Sequence, residues 1–415
     1  MIPRPDLLLP SSPSSLEVFQ LTTEALPSSH VYMEAQIFCP DAQRLVLHRS
    51  SHAHGSDRHD PLHRYLLCDL EDGGALAPLT EETGATAPSV SPDGQYLYYF
   101  VDQTEVGSGS LALRRVRLDG TSRETLAVID APLPGTDLRP SFIYPLSTIS
   151  SDGRRLALSC FLRDGEREDL PWGLLVFDLE HGSARVAITG NTWTNMHPQY
   201  CRSREIDASH DVMLQHNHGH FFDRDGSRHY STGALGNDIH VLRDDAPGSA
   251  PSLRCFPWGR DAQERQAGHQ CWVGRSGTVG ISGVHWPEVR EGHLVMGHLL
   301  PDAGHLGTHT PGGRRNVLSR ECDRPYFVHF GVDIAGRRLI VDERPTPVRP
   351  AGLIYLADLP EDEDAPLANV TPLLDARSSW DKTTHPHPFL SPDGRTGFFN
   401  SDESGLLQAY MVRGW

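Results

Sequence analysis

Ser391-Pro392-Asp393-Gly394-Arg395-Thr396-Gly397-Phe398-Phe399-Asn400 reads as a tight turn followed by a strand, and its recurrence decides the fold. Pro presets φ for the second turn position, Asp bonds its own backbone, and Gly takes a position with φ > 0. The unit returns as Cys39-Pro40-Asp41-Ala42 before Arg44-Leu45-Val46-Leu47, and as Ser91-Pro92-Asp93-Gly94 before Tyr96-Leu97-Tyr98-Tyr99-Phe100. Further copies are Ser151-Asp152-Gly153 before Leu156-Ala157-Leu158, Arg275-Ser276-Gly277 before Val279-Gly280-Ile281, and Ile334-Ala335-Gly336 before Leu339-Ile340-Val341. A unit with an altered turn, from His197-Pro198-Gln199-Tyr200 to Val212-Met213-Leu214, makes the seventh. A repeat of roughly 50 to 70 residues suits a four-stranded blade with its loops and is too long for ankyrin or leucine-rich repeats. The expectation is an all-β chain: a seven-bladed β-propeller of four-stranded antiparallel blades, the first strand of each lining a central channel. Leu16-Glu17-Val18-Phe19 and Gln408-Ala409-Tyr410-Met411-Val412 are expected to share one blade and close the ring, so that residues 1–415 form a single domain.

Composition agrees with a modular array. The 415 residues exceed an ordinary single core of roughly 250 to 300 residues, Gly (38) and Pro (32) are abundant, and short β-branched or aromatic runs alternate with turn clusters. A formal net charge of -17 excludes the basic stripe of a nucleic-acid binder, and an acidic ligand would need a local positive site. The seven cysteines (39, 68, 160, 201, 255, 271 and 322) have no CxxC spacing and form no disulfide framework or zinc ribbon. Leu7-Leu8-Leu9 is too short for a signal-peptide core, and no run is apolar enough for a membrane span, so a cytoplasmic protein is expected. The absence of a Gly-x-Ser-x-Gly elbow removes a peptidase reading.

Stepping back about seven residues from each turn glycine gives Ala35, Ala87 and Leu146 in the first three repeats and His269, His329 and His387 in the last three. His197 holds a similar place in the altered unit, with His385 and His216 near. With 23 histidines in 415 residues, a given position is histidine by chance about once in eighteen, so three at one register point to a purpose. In Thr384-His385-Pro386-His387-Pro388 the two imidazoles share one side of an extended backbone that the prolines stiffen. Neutral imidazole suits Zn, Mn, Fe, Ni or Cu, and the residues alone leave open a metal site or a histidine-lined sugar or anion pocket. His52, His54, His218, His220, His285 and His309 are expected in loops or on the surface.

These motifs resemble the oligogalacturonate lyase family, seven-bladed propellers that cleave short pectin fragments by β-elimination. The resemblance runs through Ser29-His30-Val31-Tyr32, His197-Pro198-Gln199-Tyr200, Gly268-His269-Gln270-Cys271-Trp272, His329-Phe330 and, most specifically, Thr384 to Pro388. It implies His269 as catalytic base and His329, His385 and His387 as ligands of a divalent metal, typically manganese. Lys382 stands where the family has a fourth ligand, Gln, which implies weaker metal binding or a different ligand set. Asp238 stands where the family has an Arg, for which Arg202, Arg204, Arg314, Arg315, Arg320 and Arg324 are candidate substitutes. The implied activity is a metal-assisted lyase acting on an acidic oligosaccharide, of galacturonate or another uronate such as glucuronate, giving a 4,5-unsaturated end; His197, His216, Tyr200, Lys382 and Arg202 would meet the substrate. Two rivals stand beside it: a non-catalytic propeller binding sugars or proteins, and a glycoside hydrolase using Asp238 and Asp333.

Overall fold

The computed structural model describes residues 1–33, 35–50, 59–105, 107–163, 171–203, 206–218, 221–222, 228–229, 237–244, 252–255, 264–273, 293–299, 303–309, 315–323, 327–362, 364–381 and 383–415. Among them the chain is an all-β propeller with two short helical turns, Pro5–Leu7 and Ile206–Ser209. Six four-stranded antiparallel sheets follow one another; in five of them sequence neighbours pair as a meander, and in the fourth the small hairpin Phe221–Phe222/Arg228–His229 is inserted between the paired strands Asp211–Asn217 and Asn237–Arg243. The inner strands of these sheets are Ser29–His30, Ala85–Val90, Arg139–Ile149, Gln199–Tyr200, Glu264–Trp272 and Phe327–Val332. A fifth strand enlarges the remaining large sheet, which runs from Phe389–Leu390 through Thr396–Ser401 and Gln408–Arg413 to Glu17–Gln20 and Ile2–Pro3. Glu17–Gln20 pairs antiparallel with Gln408–Arg413, Val18 facing Val412, so these two terminal segments lie in one sheet. Arg4 reinforces this seam by a bidentate ion pair with Glu403, which also accepts the Tyr410 hydroxyl at 2.6 Å.

Each sheet is covered on both faces by its neighbours, and period-two alternation distributes its side chains between two cores. In Tyr96-Leu97-Tyr98-Tyr99-Phe100, Leu97 and Tyr99 pack with Leu45, Leu47 and Tyr65 of the preceding sheet. Tyr98 and Phe100 pack with Leu156, Leu158 and Phe177 of the next. Each fully buried side chain of this kind contributes about 1.5–3 kcal/mol by leaving water, which is why the strands read as apolar on both faces.

The recurring turn behaves as its chemistry dictates. Ser91 Oγ and the amide of Gln95 both donate to Asp93 Oδ1, at 2.5 and 3.0 Å, and Gly94 adopts φ +68°. A Cβ on Gly94 would lie 2.4 Å from Pro40 Cδ, one on Gly153 3.6 Å from Pro92 Cδ, and one on Gly394 3.1 Å from Asp333 Cβ. Each turn thus nests against the turn of the preceding sheet, and Gly94 has no room for a side chain. The Arg275-Ser276-Gly277 turn lies outside the described residues. One cavity of about 180 Å³ is lined by Ile37, Val90, Ile149, Tyr200, Trp272, Phe330 and Leu390, drawn from all seven large sheets. The inner strands therefore surround a common channel, with their first residues at one mouth and the turns at the other. No described helix is long and apolar enough to cross a membrane.

Candidate functional site

At the mouth opposite the turns, the inner strands are bulged. The ladder shifts register between Thr86 and Ser89, Gly268 and Cys271, and Phe327 and Phe330. Ala87, His197, His269 and His387 each hold a positive φ of 45–51°. The left-handed region is uncommon for side chains of this kind and re-aims them locally. The register at which histidines recur in sequence is thus a conformational feature repeated around the rim.

His329, His385 and His387 converge, with their ligand atoms all within 4.8 Å of one another. Asp342, a fully buried residue on the second strand of the same sheet, fixes His329. Asp342 Oδ1 accepts the His329 amide at 2.7 Å, Oδ2 lies 2.9 Å from His329 Nδ1, and a backbone hydrogen bond comes from His387. Where Asp342 is ionised it accepts Nδ1–H, and the lone pair of His329 then sits on Nε2. Burial pushes the Asp342 carboxyl up to about 8 and holds His329 and His385 below the ordinary imidazole value, so both rings are neutral. His30 and Asn400 brace the loop that carries His385 and His387. The Pro386 carbonyl accepts the Asn400 amide at 2.9 Å and faces His30 Nε2 at 3.2 Å.

The His269 ring lies 4.7 Å from that of His329. Its Nδ1 is 3.0 Å from the Val328 carbonyl; a carbonyl only accepts, so Nδ1 carries the proton and Nε2 the lone pair. On the other side the rings continue from His387 to Tyr32 (4.8 Å), Tyr32 to His197 (5.6 Å) and His197 to Tyr144 (5.2 Å). Two glutamines lace the His197 and His269 strands together. Gln199 Nε2 donates to the Gln270 carbonyl at 2.6 Å and Gln270 Nε2 to the His197 carbonyl at 3.2 Å. The arrangement offers a cation-sized cluster of imidazole nitrogens beside a fourth imidazole and two phenols.

An oligogalacturonate lyase from Vibrio parahaemolyticus superposes with a TM-score of 0.69 at 16% identity, over 98% of this chain and 96% of that one. The chain is similar in fold to oligogalacturonate lyases. A second structure, an oligogalacturonate lyase in complex with manganese, gives a TM-score of 0.69 at 18% identity, covering 98% of this chain and 95% of that one. The likeness to both is distant in sequence and nearly complete in length. No protein-family model matches the chain, and no curated protein matches it.

The remaining residues singled out in sequence fall elsewhere. His216 stacks on Trp193 at 4.0 Å, bonds Thr192 Oγ1 at 2.7 Å, and lies beside His218 and His240, a separate group of rings on the fourth sheet. Tyr200 is buried and donates to Asp244 Oδ2 at 2.8 Å, among Arg155 and Arg185, which holds its hydroxyl in the packing between sheets. Arg202 lies near Asp333 at the turn end of the channel, away from the histidines. Asp333 accepts the amides of Arg337 and Arg338 at 2.8 and 2.9 Å and serves its turn. Lys382, Arg204, Arg314, Arg324 and the side chains of Asp238 and Arg315 lie outside the described residues. Arg320 is engaged with Asn316 and the Val317 carbonyl. Arg344, which the sequence reading missed, is the arginine whose charge reaches His385.

Asp342, Tyr32, Tyr144 and the glutamine pair also went unread. Asp342 had a faint signal, an acid completing the apolar run Leu339-Ile340-Val341 where period-two alternation continues into the core.

Proposed function

We propose that this chain is a metal-assisted lyase that cleaves a uronate-containing oligosaccharide by β-elimination, leaving a 4,5-unsaturated uronic acid end. The observation that supports it above all is the convergence of His329, His385 and His387 beside His269. The donor set fits a divalent ion: three imidazoles, two of them held neutral by burial, have their ligand atoms within 4.8 Å of one another and would hold it. Manganese is the first choice, by analogy with the similar structure in complex with that metal. When bound, the ion would supply a fixed positive charge against the uronate carboxylate, acidifying the neighbouring C5 proton. His269 removes that proton through Nε2, its ring oriented by the Val328 carbonyl and its strand by Gln199 and Gln270. His329 and His387 are held by Asp342 without direct contact with the sugar. The electrons of the C5–H bond form the C4–C5 double bond as the C4–O4 bond breaks. We also read the five-stranded sheet as the seventh blade, so that residues 1–415 form one propeller.

The test is ultraviolet absorbance of the conjugated double bond on incubating the protein with a panel of acidic oligosaccharides and Mn²⁺. Turnover that is lost in His269→Ala with metal affinity retained, and lost together with metal affinity in His385→Ala/His387→Ala, is the expected result. Sugar binding without new absorbance from any substrate would replace the lyase by a sugar-binding propeller.

A further inference from the structure

The elimination leaves one proton unassigned. The departing O4 is a sugar alkoxide, a poor leaving group unless it is protonated as the C4–O bond breaks, and His269 is occupied with C5. Tyr200 is excluded by its hydrogen bond to Asp244 inside the packing between sheets. Among the described residues, a hydroxyl seen to bond a rim histidine is that of Tyr144, on the inner strand Arg139–Ile149. Its Oη lies 3.2 Å from His197 Nε2, the rings 5.2 Å apart. His197 is one of the left-handed rim residues (φ +46°), and its carbonyl accepts from the side chain of Gln270, the residue next to His269. Phenol and base therefore stand on strands flanking His197, braced by one network.

We propose that Tyr144 is the general acid of the reaction and that His197 is its positioning residue. This inference rests on the lyase reading above. His197 donates Nε2–H to Tyr144 Oη, and the phenolic proton passes to O4 as the C4–O bond breaks. The C5–H electron pair becomes the C4–C5 double bond, and the C4–O pair departs on O4 and takes up the tyrosyl proton. The phenolate left behind is stabilised by His197 Nε2–H. It recovers a proton from water, which in turn receives the proton His269 took from C5, so the cycle consumes no other reagent. The contribution expected of such an acid is roughly 10²–10⁴-fold in rate.

The experiment compares Tyr144→Phe, His197→Gln and His269→Ala with the unaltered protein, Mn²⁺ present, on two substrates. One is an acidic oligosaccharide that the protein cleaves; the other is a uronate carrying a nitrophenyl group on O4, whose oxygen needs no proton to leave. Tyr144→Phe should lose roughly 10²-fold or more in kcat on the sugar and less than about tenfold on the aryl ether, with melting temperature and Mn²⁺ affinity unchanged. His197→Gln should show a smaller loss with the same leaving-group dependence, which a merely structural role would not produce, and His269→Ala should fail on both. Equal losses on the two substrates, or none, would overturn the assignment of Tyr144 while leaving the lyase reading intact. No turnover of either substrate by the unaltered protein would overturn both.

Discussion

Replacing Asp342 by Asn should damage metal binding more than removing the side chain altogether. In the native protein Oδ1 accepts the His329 amide at 2.7 Å and Oδ2 faces His329 Nδ1 at 2.9 Å. An asparagine must keep its oxygen toward the backbone N–H, because the opposite flip would set donor against donor. Its NH₂ then points at Nδ1, which can only be satisfied as an acceptor. The imidazole proton moves to Nε2, the nitrogen that a metal would need. To bind an ion the ring must return to the Nδ1–H tautomer against the amide donor, leaving a buried donor unsatisfied at a cost of about 1–3 kcal/mol. Loss of an orienting partner alone costs roughly 10- to 100-fold in metal affinity, the expectation for Asp342→Ala, whose histidine is free to choose its tautomer. Asp342→Asn should fall at least a further fivefold or so, since 1.4 kcal/mol is a factor of ten. Isothermal titration of chelator-stripped protein with MnCl₂ at a fixed pH above about 8, where Asp342 is ionised, measures this order, with circular dichroism confirming that each variant is folded. An Asn variant that binds manganese as tightly as the unaltered protein, or more tightly than the Ala variant, would refute the tautomer reasoning.

Three other outcomes follow from the fold and rim. Gly94→Ala forces a side chain into φ +68° with its Cβ 2.4 Å from Pro40 Cδ, so it should destabilise by about 1–3 kcal/mol or more in chemical denaturation; a neutral result would mean that the turns do not nest as described. The hydrogen bond and charge of Arg4 hold the Glu403 carboxyl below its ordinary value, so its contribution is full above the unfolded-state value and is lost as pH falls through the folded one. Glu403→Gln should therefore lower the melting temperature at neutral pH and converge on the unaltered protein in acid, whereas a constant difference across pH would contradict that linkage. Arg344→Gln should raise KM for an acidic oligosaccharide at least severalfold with a smaller change in kcat, as expected if this charge near His385 binds the uronate carboxylate; steady-state kinetics with an unchanged KM would remove Arg344 from the site.

Local chemistry made the turns and the rim histidines legible, while contacts between separate strands stayed hidden. Ser-Pro-Asp-Gly specifies its turn without help from the rest of the chain, and the inner strand runs a nearly fixed number of residues from rim to turn. Counting back from Gly394 to His387, or from Gly336 to His329, therefore lands on one ring of positions whatever the outer strands do. Asp342 belongs to the neighbouring strand and reaches His329 across the bulge between Phe327 and Phe330, a juxtaposition that depends on a register shift no local pattern announces. Tyr32 and Tyr144 come from other sheets and meet His387 and His197 only when the ring closes. Tyr200 and Arg202 show the converse, being close to His197 in sequence and away from the rim in the fold. Tyr200 lies on the strand Gln199–Tyr200 with its hydroxyl bonded to Asp244, turned into the packing between sheets. Arg202 lies five residues from His197, roughly 16 Å at strand rise, at the opposite end of the channel. A propeller thus writes the depth of a residue along its channel into the sequence as distance from the turn. Its partners around the rim are set by the closure of the ring, and that is where the acid for the departing oxygen has to be sought.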